Sequence, residues 1–589
     1  MDRATPELSK REAVCVAIAS LIFAAVFLYP MLSPVGQLGS NLSNWIMQPI
    51  EWQHLTRLPS NGDADLFTEL RWVSYWTVVH FHQLPFWNPY KCGGMGMLSN
   101  PESAIVTPFF IFYLMFGLVA GINLDIYLHL AIMFAGGYYL GRALGLNRTA
   151  ATVSAMVFPA SSWFYLHLSV GHFNFLPGAY LPWVAALLFV AIESKRFLPA
   201  VIGGLLCALT LTEGNYTFLY TAIIVAIVAI VLSLISWSLR PFFSGVAIGL
   251  FGLGFAALRL FPMAQQLATY PKNPFGIEAI SMQLIRRFLL SSNQDLFRPR
   301  IGFEFAWCEY GAYVSLAFVF LAAVGLVARP IKSLPWLLAA IVFVLFARGW
   351  TGEHSFVFIL LYLPMGSSTG LTGRYLIPFV FCVGVIAAYG ADYICANLRP
   401  RGAPFVLILL AVGAVNSWIV GAPNARYLYM YPIRTAPYSN TFRQFWTVNT
   451  GMMTEINLAN MASVNCQGYG YNDIPENPRG YNQSGYRGEY YLLAGGTARE
   501  TLWTPNRLRY DVDLPGPTAL IINQNAYPGW HSIGDGKLYS EGGLIGVRLP
   551  AGRHSVELVY IPDRILLAVL VTLLTTLAAI VIWKIERKN

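Results

Sequence analysis

Residues 62–108 read GDADLFTELRWVSYWTVVHFHQLPFWNPYKCGGMGMLSNPESAIVTP, and the organisation of the chain turns on them. They lie between the first and second long apolar runs of a chain made mostly of such runs. Asp63 and Asp65 open the stretch, spaced DxD. From Leu66 to His82 it is aromatic and amphipathic, with Leu66, Leu70, Val73, Trp76, Thr77 and His80 recurring near the helical period. Such a helix is expected in the membrane surface, its Trp and Tyr at headgroup level. LPFWNPY stops the helix, and CGGMGM permits backbone conformations that other residues avoid. A loop this long is usually functional or disordered, and its density of Trp, Phe and Tyr argues against disorder.

Composition sets the frame. The chain has 589 residues, 56% hydrophobic and 11% charged, with mean hydropathy +0.53. Soluble domains carry about 25% charged residues, so this is a polytopic membrane protein. The net charge of +9 comes from basic residues scattered between apolar runs rather than massed on one face, which excludes nucleic acid as a partner. The spans expected lie near 12–32, 123–142, 149–166, 174–192, 197–213, 216–238, 242–262, 309–328, 333–348, 375–396, 402–420 and 564–583. Arg142, Arg148, Lys195, Arg196, Arg240, Arg329, Lys332, Arg399, Arg401 and the tail Lys584, Arg587 and Lys588 share one side if the N-terminus is cytoplasmic. The loops 167–173 and 213–216 hold no Lys or Arg. That alternation predicts a multi-pass protein of the bacterial cytoplasmic membrane with both termini inside. Residues 104–120 are apolar enough to span, but counting them would put the arginines outside. They are expected to form an interrupted, re-entrant segment of the first loop.

The fold expected is therefore mainly α: about twelve transmembrane helices, with a C-terminal extracytoplasmic β-rich domain. Residues 1–420 form the membrane domain, with a large first outer loop at 33–122. Residues 421–562 form the outer domain, and 563–589 the last helix and tail. RLRYDVDL and HSVELVYI alternate, and GDGKLYSEG and LPAGRHS bring turn chemistry, which predicts an antiparallel β-sandwich. None of the seven cysteines has metal-ligand spacing; Cys92 and Cys308, both expected outside, are a candidate disulfide pair.

In this topology Asp63, Asp65, His167, His172, Glu213, Asn215, Asp295, Glu309, Glu353, His354 and Arg374 gather at or near the outer face. Ionisable residues at span ends are costly unless they face a cavity or a partner. An Asp at a helix start is also an ordinary cap, so the DxD alone assigns nothing. Walker, GxGxxG and HExxH motifs are missing from the sequence, which speaks against nucleotide-driven transport and HExxH-type metallohydrolases.

LPFWNPYKCGG with LSNPESA, VGHFNFLPGAYLPW at 170–183, WCEYGAY at 307–313 and LPMGSSTGLTGRYLIP at 363–378 occur in order, followed by YPGWHSIGDG and LPAGRHSVELVY. Together they resemble YfhO-like bacterial membrane proteins of the GT-C class of glycosyltransferases. The resemblance implies inverting transfer of a sugar from a polyprenyl-phosphate donor to a cell-envelope glycan, lipid or protein, with the catalytic carboxylate in the first outer loop. Where many relatives carry two arginines before the tenth span, this chain offers only Arg374.

Such transfer needs a base for the acceptor hydroxyl and a holder for the leaving phosphate. Asp65 or Asp63 is the candidate base. Arg374, His172 and Arg259 are candidate phosphate or donor ligands, and Glu309, Trp87, Asn88 and Glu213 further substrate-binding residues. No cofactor is certain, but a divalent cation on Asp63 and Asp65 with Glu309 is conceivable for this donor set. Two rivals stand beside the transferase: a transporter or flippase, whose charges should sit mid-span on broken helices, and a non-catalytic envelope-assembly scaffold.

Overall fold

The computed structural model describes residues 8–32, 62–214, 216–269, 278–295, 307–352, 354–362, 370–429, 438–446, 453–464 and 478–588. Asn215, Glu353, Cys466, most of 363–370 and much of the loop-rich stretch after residue 429 lie outside that set.

All twelve expected spans contain helix, but fewer are long enough to cross alone. Seven helical segments meet the length and hydropathy of a span: Ala120–Ala143, Phe173–Ser194, Thr217–Ser236, Pro330–Ala347, Thr372–Asn397, Gly402–Leu428 and Ile565–Lys588. The pair Arg240–Phe255 and Ala257–Ala268, bent by 76°, makes an eighth if counted as one. The shortfall from twelve has local causes. Lys10–Phe27 begins with Lys10, Arg11 and Glu12; Ser161 separates Arg148–Ala160 from Ser162–Ser169; Leu198–Thr212 and Leu316–Ala328 are apolar but short. Close helix packing rests on small residues. A Cβ on Gly325 would meet the Ile386 carbonyl at 2.1 Å, and one on Gly390 the Leu321 carbonyl at 1.9 Å, so Leu316–Ala328 and Leu376–Asn397 touch backbone to backbone.

Residues 104–109 form no helix. The helix Phe110–Ala143 then begins and breaks at Gly117 (φ 80°), and the candidate span starts at Ala120. An interrupted segment was expected here, and one is found, joined to the second span.

The first-loop helix Gly62–Val79 departs from expectation. Instead of showing one apolar face to lipid, it is buried on every side along residues 65–74. A helix covered all round belongs to a core, and Leu66, Leu70, Trp72 and Val73 join the main core of the bundle.

The C-terminal β-rich region is a sandwich of two antiparallel four-stranded sheets. With strands β1 (Trp87–Asn88), β2 (Met95–Gly96), β3 (Arg443–Phe445), β4 (Met461–Ser463), β5 (Tyr490–Leu492), β6 (Thr497–Thr504), β7 (Arg507–Leu514), β8 (Thr518–Asn525), β9 (Trp530–Ser532), β10 (Lys537–Glu541), β11 (Leu544–Leu549) and β12 (Gly552–Tyr560), the orders are β10-β11-β8-β5 and β6-β7-β12-β9. Period-two alternation puts Leu508, Tyr510, Val512 and Leu514 of β7 inside with Val556, Leu558 and Tyr560 of β12. Strand β8 is buried on both faces because its outer side is covered at Asn523 by Gln444, Arg479 and Glu489 and at Asn525 by the first loop. Asn525 donates to the carbonyls of Cys92 (2.6 Å) and Gly94 (3.0 Å).

Trp87 makes the same junction from the loop side. It is fully buried in the sandwich core, packs on Tyr527, Trp530 and Tyr560, and donates from Nε1 to Gln524 at 2.8 Å. The candidate Cys92–Cys308 disulfide is not formed. Cys308 is a buried free thiol, whereas Cys92 is disulfide-bonded.

Candidate functional site

Four segments far apart in sequence meet at one end of the bundle. Asp63 and Asp65 stand in the first turn of Gly62–Val79, where the helix dipole favours negative charge. Gly171 brings the next residue to them. Its φ of 77° suits glycine, and a Cβ there would meet the Ala64 Cα at 2.3 Å. The GH turn can therefore lie against the DxD backbone, and His172 Nε2 reaches Asp63 Oδ2 at 2.7 Å. On its other side His172 Nδ1 contacts His167 Nδ1 at 2.8 Å, a contact that holds one proton between the rings.

A second glycine plays a matching part. A Cβ on Gly373 would meet the Tyr310 ring at 2.1 Å, so only glycine lets the turn Thr372–Tyr375 close on Trp307–Tyr310. Arg374 thereby forms a fork with Glu309, Nε to Oε2 at 2.7 Å and Nη2 to Oε1 at 2.9 Å. Its guanidinium also lies 5.3 Å from the centre of the Phe175 ring, which stacks on His167 at 4.1 Å. Glu309 Oε1 lies 3.8 Å from His172 Nε2, joining the two halves.

Within the cluster only the Asp63 side chain is substantially open, at 39% exposure against 4% for His172, 14% for Glu309 and 10% for Arg374. Burial alone would push the Glu309 carboxyl up, but Arg374 and His172 outweigh it and hold it well below the usual carboxylate range. Burial, with His172 and Arg374 nearby, pushes His167 well below the usual imidazole range and keeps it neutral. Glu278 accepts from the Tyr310 hydroxyl at 2.7 Å beside this group, and burial raises it to about 7.

Under the DxD lies a third layer. Lys91 is buried in the field of Glu69, Glu102, Asp63 and Asp65; burial lowers it to about 8 while those carboxylates oppose the shift. Glu69, also pushed up by burial, accepts from Asn88 Nδ2 at 2.8 Å.

The structure thus brings together Asp63, His172, Glu309 and Arg374, and puts Asp65, itself buried, one turn-position away. It does not bring the other expected ligands there. Trp87 is in the sandwich core, and Asn88 ties Glu69 to the loop. Arg259 is fully buried and donates to the backbone carbonyls of Ser103, Thr212 (2.8 Å) and Asn100 (2.6 Å), fastening the first loop to the helix Leu198–Thr212.

Glu213 belongs to a separate buried network. There His129 bridges Asp125 (2.9 Å) and Glu213 (2.9 Å), Tyr180 donates to Glu213, and Arg71 donates to Tyr113 (3.0 Å), which donates to Asp125 (2.6 Å). Sequence reasoning passed over Asp125 and His129, although two ionisable residues four apart inside an apolar run were signal enough. Lys91, Glu69 and Glu278 carried no comparable signal.

For a metal, His167, His172 and Glu309 are the group that fits among the described residues, their ligand atoms all within 4.8 Å of one another. This set is richer in imidazole than the expected Asp63–Asp65 pair and suits a transition metal better than a hard cation.

With the geometry in view, the chain can be set beside known proteins. No protein-family model matches it, and no curated protein matches it in sequence. Its resemblance to YfhO-like proteins therefore rests on the motifs alone. Among solved structures it is similar to arabinofuranosyltransferase AftD from Mycobacteria, with 16% identity, a TM-score of 0.41, and coverage of 76% of this chain and 30% of that one. It is likewise similar to the Archaeoglobus fulgidus oligosaccharyltransferase in its apo form, with 12% identity, a TM-score of 0.42, and coverage of 77% of this chain and 65% of that one. The same enzyme's complex with Zn and sulfate gives 12% identity and a TM-score of 0.41, over 76% and 62%. The chain spans less than two thirds of each of these proteins. No residue role is carried over from so distant a likeness.

Proposed function

We propose that this chain is a membrane glycosyltransferase. It moves a sugar from a polyprenyl-phosphate donor to a hydroxyl of an envelope glycan, lipid or protein, on the outer face of a bacterial cytoplasmic membrane. One observation carries the proposal: a carboxylate open to solvent, Asp63, is held by a buried histidine beside a buried Glu309–Arg374 fork.

In this mechanism Asp63 takes the proton of the acceptor hydroxyl as its oxygen attacks the sugar's anomeric carbon. The bond from that carbon to the phosphate oxygen breaks, and its electron pair leaves with the lipid phosphate. His172 donates from Nε2 to Asp63 and fixes the carboxylate's orientation. Arg374, held in place by Glu309, supplies the fixed positive charge for the leaving phosphate. Asp65 is the second carboxylate of the same turn and the reserve candidate for the base. His167, His172 and Glu309 would hold a divalent cation, which when bound would neutralise charge on that phosphate.

The decisive experiment is sugar transfer by the purified protein in liposomes from a labelled polyprenyl-phosphate donor. Transfer that survives in Asp63→Asn, in Asp65→Asn and in the double variant would defeat this mechanism. A second reading is favoured by one observation: the buried Arg71–Asp125–His129–Glu213 chain lies beside the helix break at Gly117, an arrangement that transport proteins use. Lipid-linked sugar crossing the bilayer without transfer, in the same liposomes, would select it.

A further inference from the structure

At the end of the bundle away from Asp63, a cavity of about 560 Å³ opens between the end of Phe110–Ala143, the start of Arg148–Ala160 and the turn after Leu376–Asn397. The single span Thr372–Asn397 leads from Arg374 of the Asp63 cluster to Asp392 and Cys395, which line this cavity. Some 20 residues at 1.5 Å each cover about 30 Å, a hydrocarbon core's thickness. The cavity therefore faces the opposite leaflet from the cluster around Asp63.

Three guanidiniums line it: Arg142, Arg148 and Arg399. Its carboxylate, Asp392, is occupied by the Asn147 backbone N–H at 3.1 Å and side-chain N–H at 2.7 Å. Glu12 accepts from Arg148 at 3.1 Å and from Tyr138 at 2.8 Å, and forms an ion pair with Arg142 at 3.1 Å. Three cations against two anions leave a positive surplus, and the Arg148 side chain is 72% exposed. The amides of the first turn of Arg148–Ala160 add to the positive end, and Thr149 adds a hydroxyl at the rim.

The next residues along both helices change character. Ala13 follows Glu12, and Tyr139 follows Tyr138, and both line a second cavity of about 390 Å³. Its wall is apolar, with Val16, Ala17, Ile132 and Trp183. Glu12, paired with two arginines of the cationic cleft, thus stands next in sequence to Ala13 of the apolar groove, at the start of Lys10–Phe27.

We infer that this end of the bundle binds one anionic glycerophospholipid, its phosphate between Arg148 and Arg399 and an acyl chain along the groove. Free phosphate would match the cleft but have no use for the groove; a zwitterionic lipid would match the groove but gain little from the surplus charge. The site is independent of the proposed transfer reaction, since it shares no residue with the Asp63 cluster.

The test uses the full chain in phosphatidylcholine nanodiscs, titrated with phosphatidylglycerol and read by native mass spectrometry. Saturable binding of one phosphatidylglycerol is expected. Arg148→Gln with Arg399→Gln should weaken it about 30-fold, as lost surface arginines do, while the two Lys replacements retain most of it. Ala17→Trp, which fills the groove from its exposed side, should weaken it separately. Any of three results overturns the inference: undiminished binding by the double Gln variant, binding by Ala17→Trp as tight as by the parent chain, or displacement of the lipid by inorganic phosphate at equal concentration.

Discussion

Two buried charge clusters in this protein use the same vocabulary and differ in one respect. The outer one joins Asp63, His172, His167, Glu309 and Arg374; the inner one joins Arg71, Tyr113, Asp125, His129, Glu213 and Tyr180. Each sets one guanidinium and its imidazoles, two in the outer cluster and one in the inner, against two carboxylates. In the inner cluster the charged side chains are at most 7% exposed, and its carboxylates are met from both sides. The outer cluster ends in a carboxylate 39% exposed. A closed network can fasten helices, and the open one can exchange a proton with a substrate. Exposure of a single oxygen pair therefore separates the candidate base from the candidate lock.

The most direct way to break this distinction is Asp63→Asn. The amide keeps the size and one acceptor oxygen but cannot take a proton at neutral pH. General-base catalysis contributes about 100- to 10,000-fold, so turnover should fall by that order while the melting temperature stays near that of the parent chain. A stability loss without a rate loss would move Asp63 into the class of locks.

Asp125→Asn asks the converse. The change leaves Arg71 and His129 facing a neutral group in a buried site, and removing one partner of a buried pair typically costs about 3–5 kcal/mol. Thermal unfolding in detergent should register it, and the rate per folded molecule should change little. A rate collapse with intact folding would instead support the transport reading or a proton path through the inner cluster.

Arg374→Lys sharpens the outer cluster itself. Lysine keeps the charge but loses the planar fork that matches Glu309. Donor affinity should weaken about 10-fold, the worth of one charge-assisted hydrogen bond, with a smaller change at saturating donor. Kinetics at varied donor concentration separates the two.

Much of this was legible in the sequence. The alternating strands around RLRYDVDL and HSVELVYI folded as expected because a period of two needs only a core to face. Asp63, His172, Glu309 and Arg374 were singled out from four separate segments, and they meet because GH and GR each place a glycine where a side chain would block the approach. Trp87, Asn88 and Arg259 illustrate the limit. An aromatic or an amide in a loop, or a cation at a span end, looks the same whether it faces a substrate or a neighbouring segment, and tertiary packing decided against the cluster for all three. Burial of the first-loop helix on every side had a visible trace: Phe67, Trp72 and Tyr75 stand off the Leu66–Leu70–Val73 stripe. The span count suffered from reading apolar length without its breaks at Ser161 and Ala256.

The smallest expected effect concerns Glu278, at the edge of the open cluster. Burial raises its carboxyl to about 7, Glu309 adds to the rise, and the Tyr310 hydroxyl, Arg374 and the Thr372 backbone N–H oppose it. An unfolded chain ionises the same carboxyl near the ordinary glutamate value, about 4.3. Between those two values the folded state holds a proton that the unfolded state has released, so stability falls as pH climbs through the window. Above about 7 the buried group ionises, and the penalty is fully present. Glu309 does not contribute, because Arg374 and His172 keep it ionised throughout. Glu278→Gln carries no such proton, so its melting temperature should decline less between pH 5 and 8 than that of the parent chain. A difference of about 2 °C across the window is the size expected for one partly buried group in a chain this long. Identical slopes for the two proteins would mean that Glu278 is ionised in the fold, and the outer cluster would then carry one more negative charge beside the site assigned to the leaving phosphate.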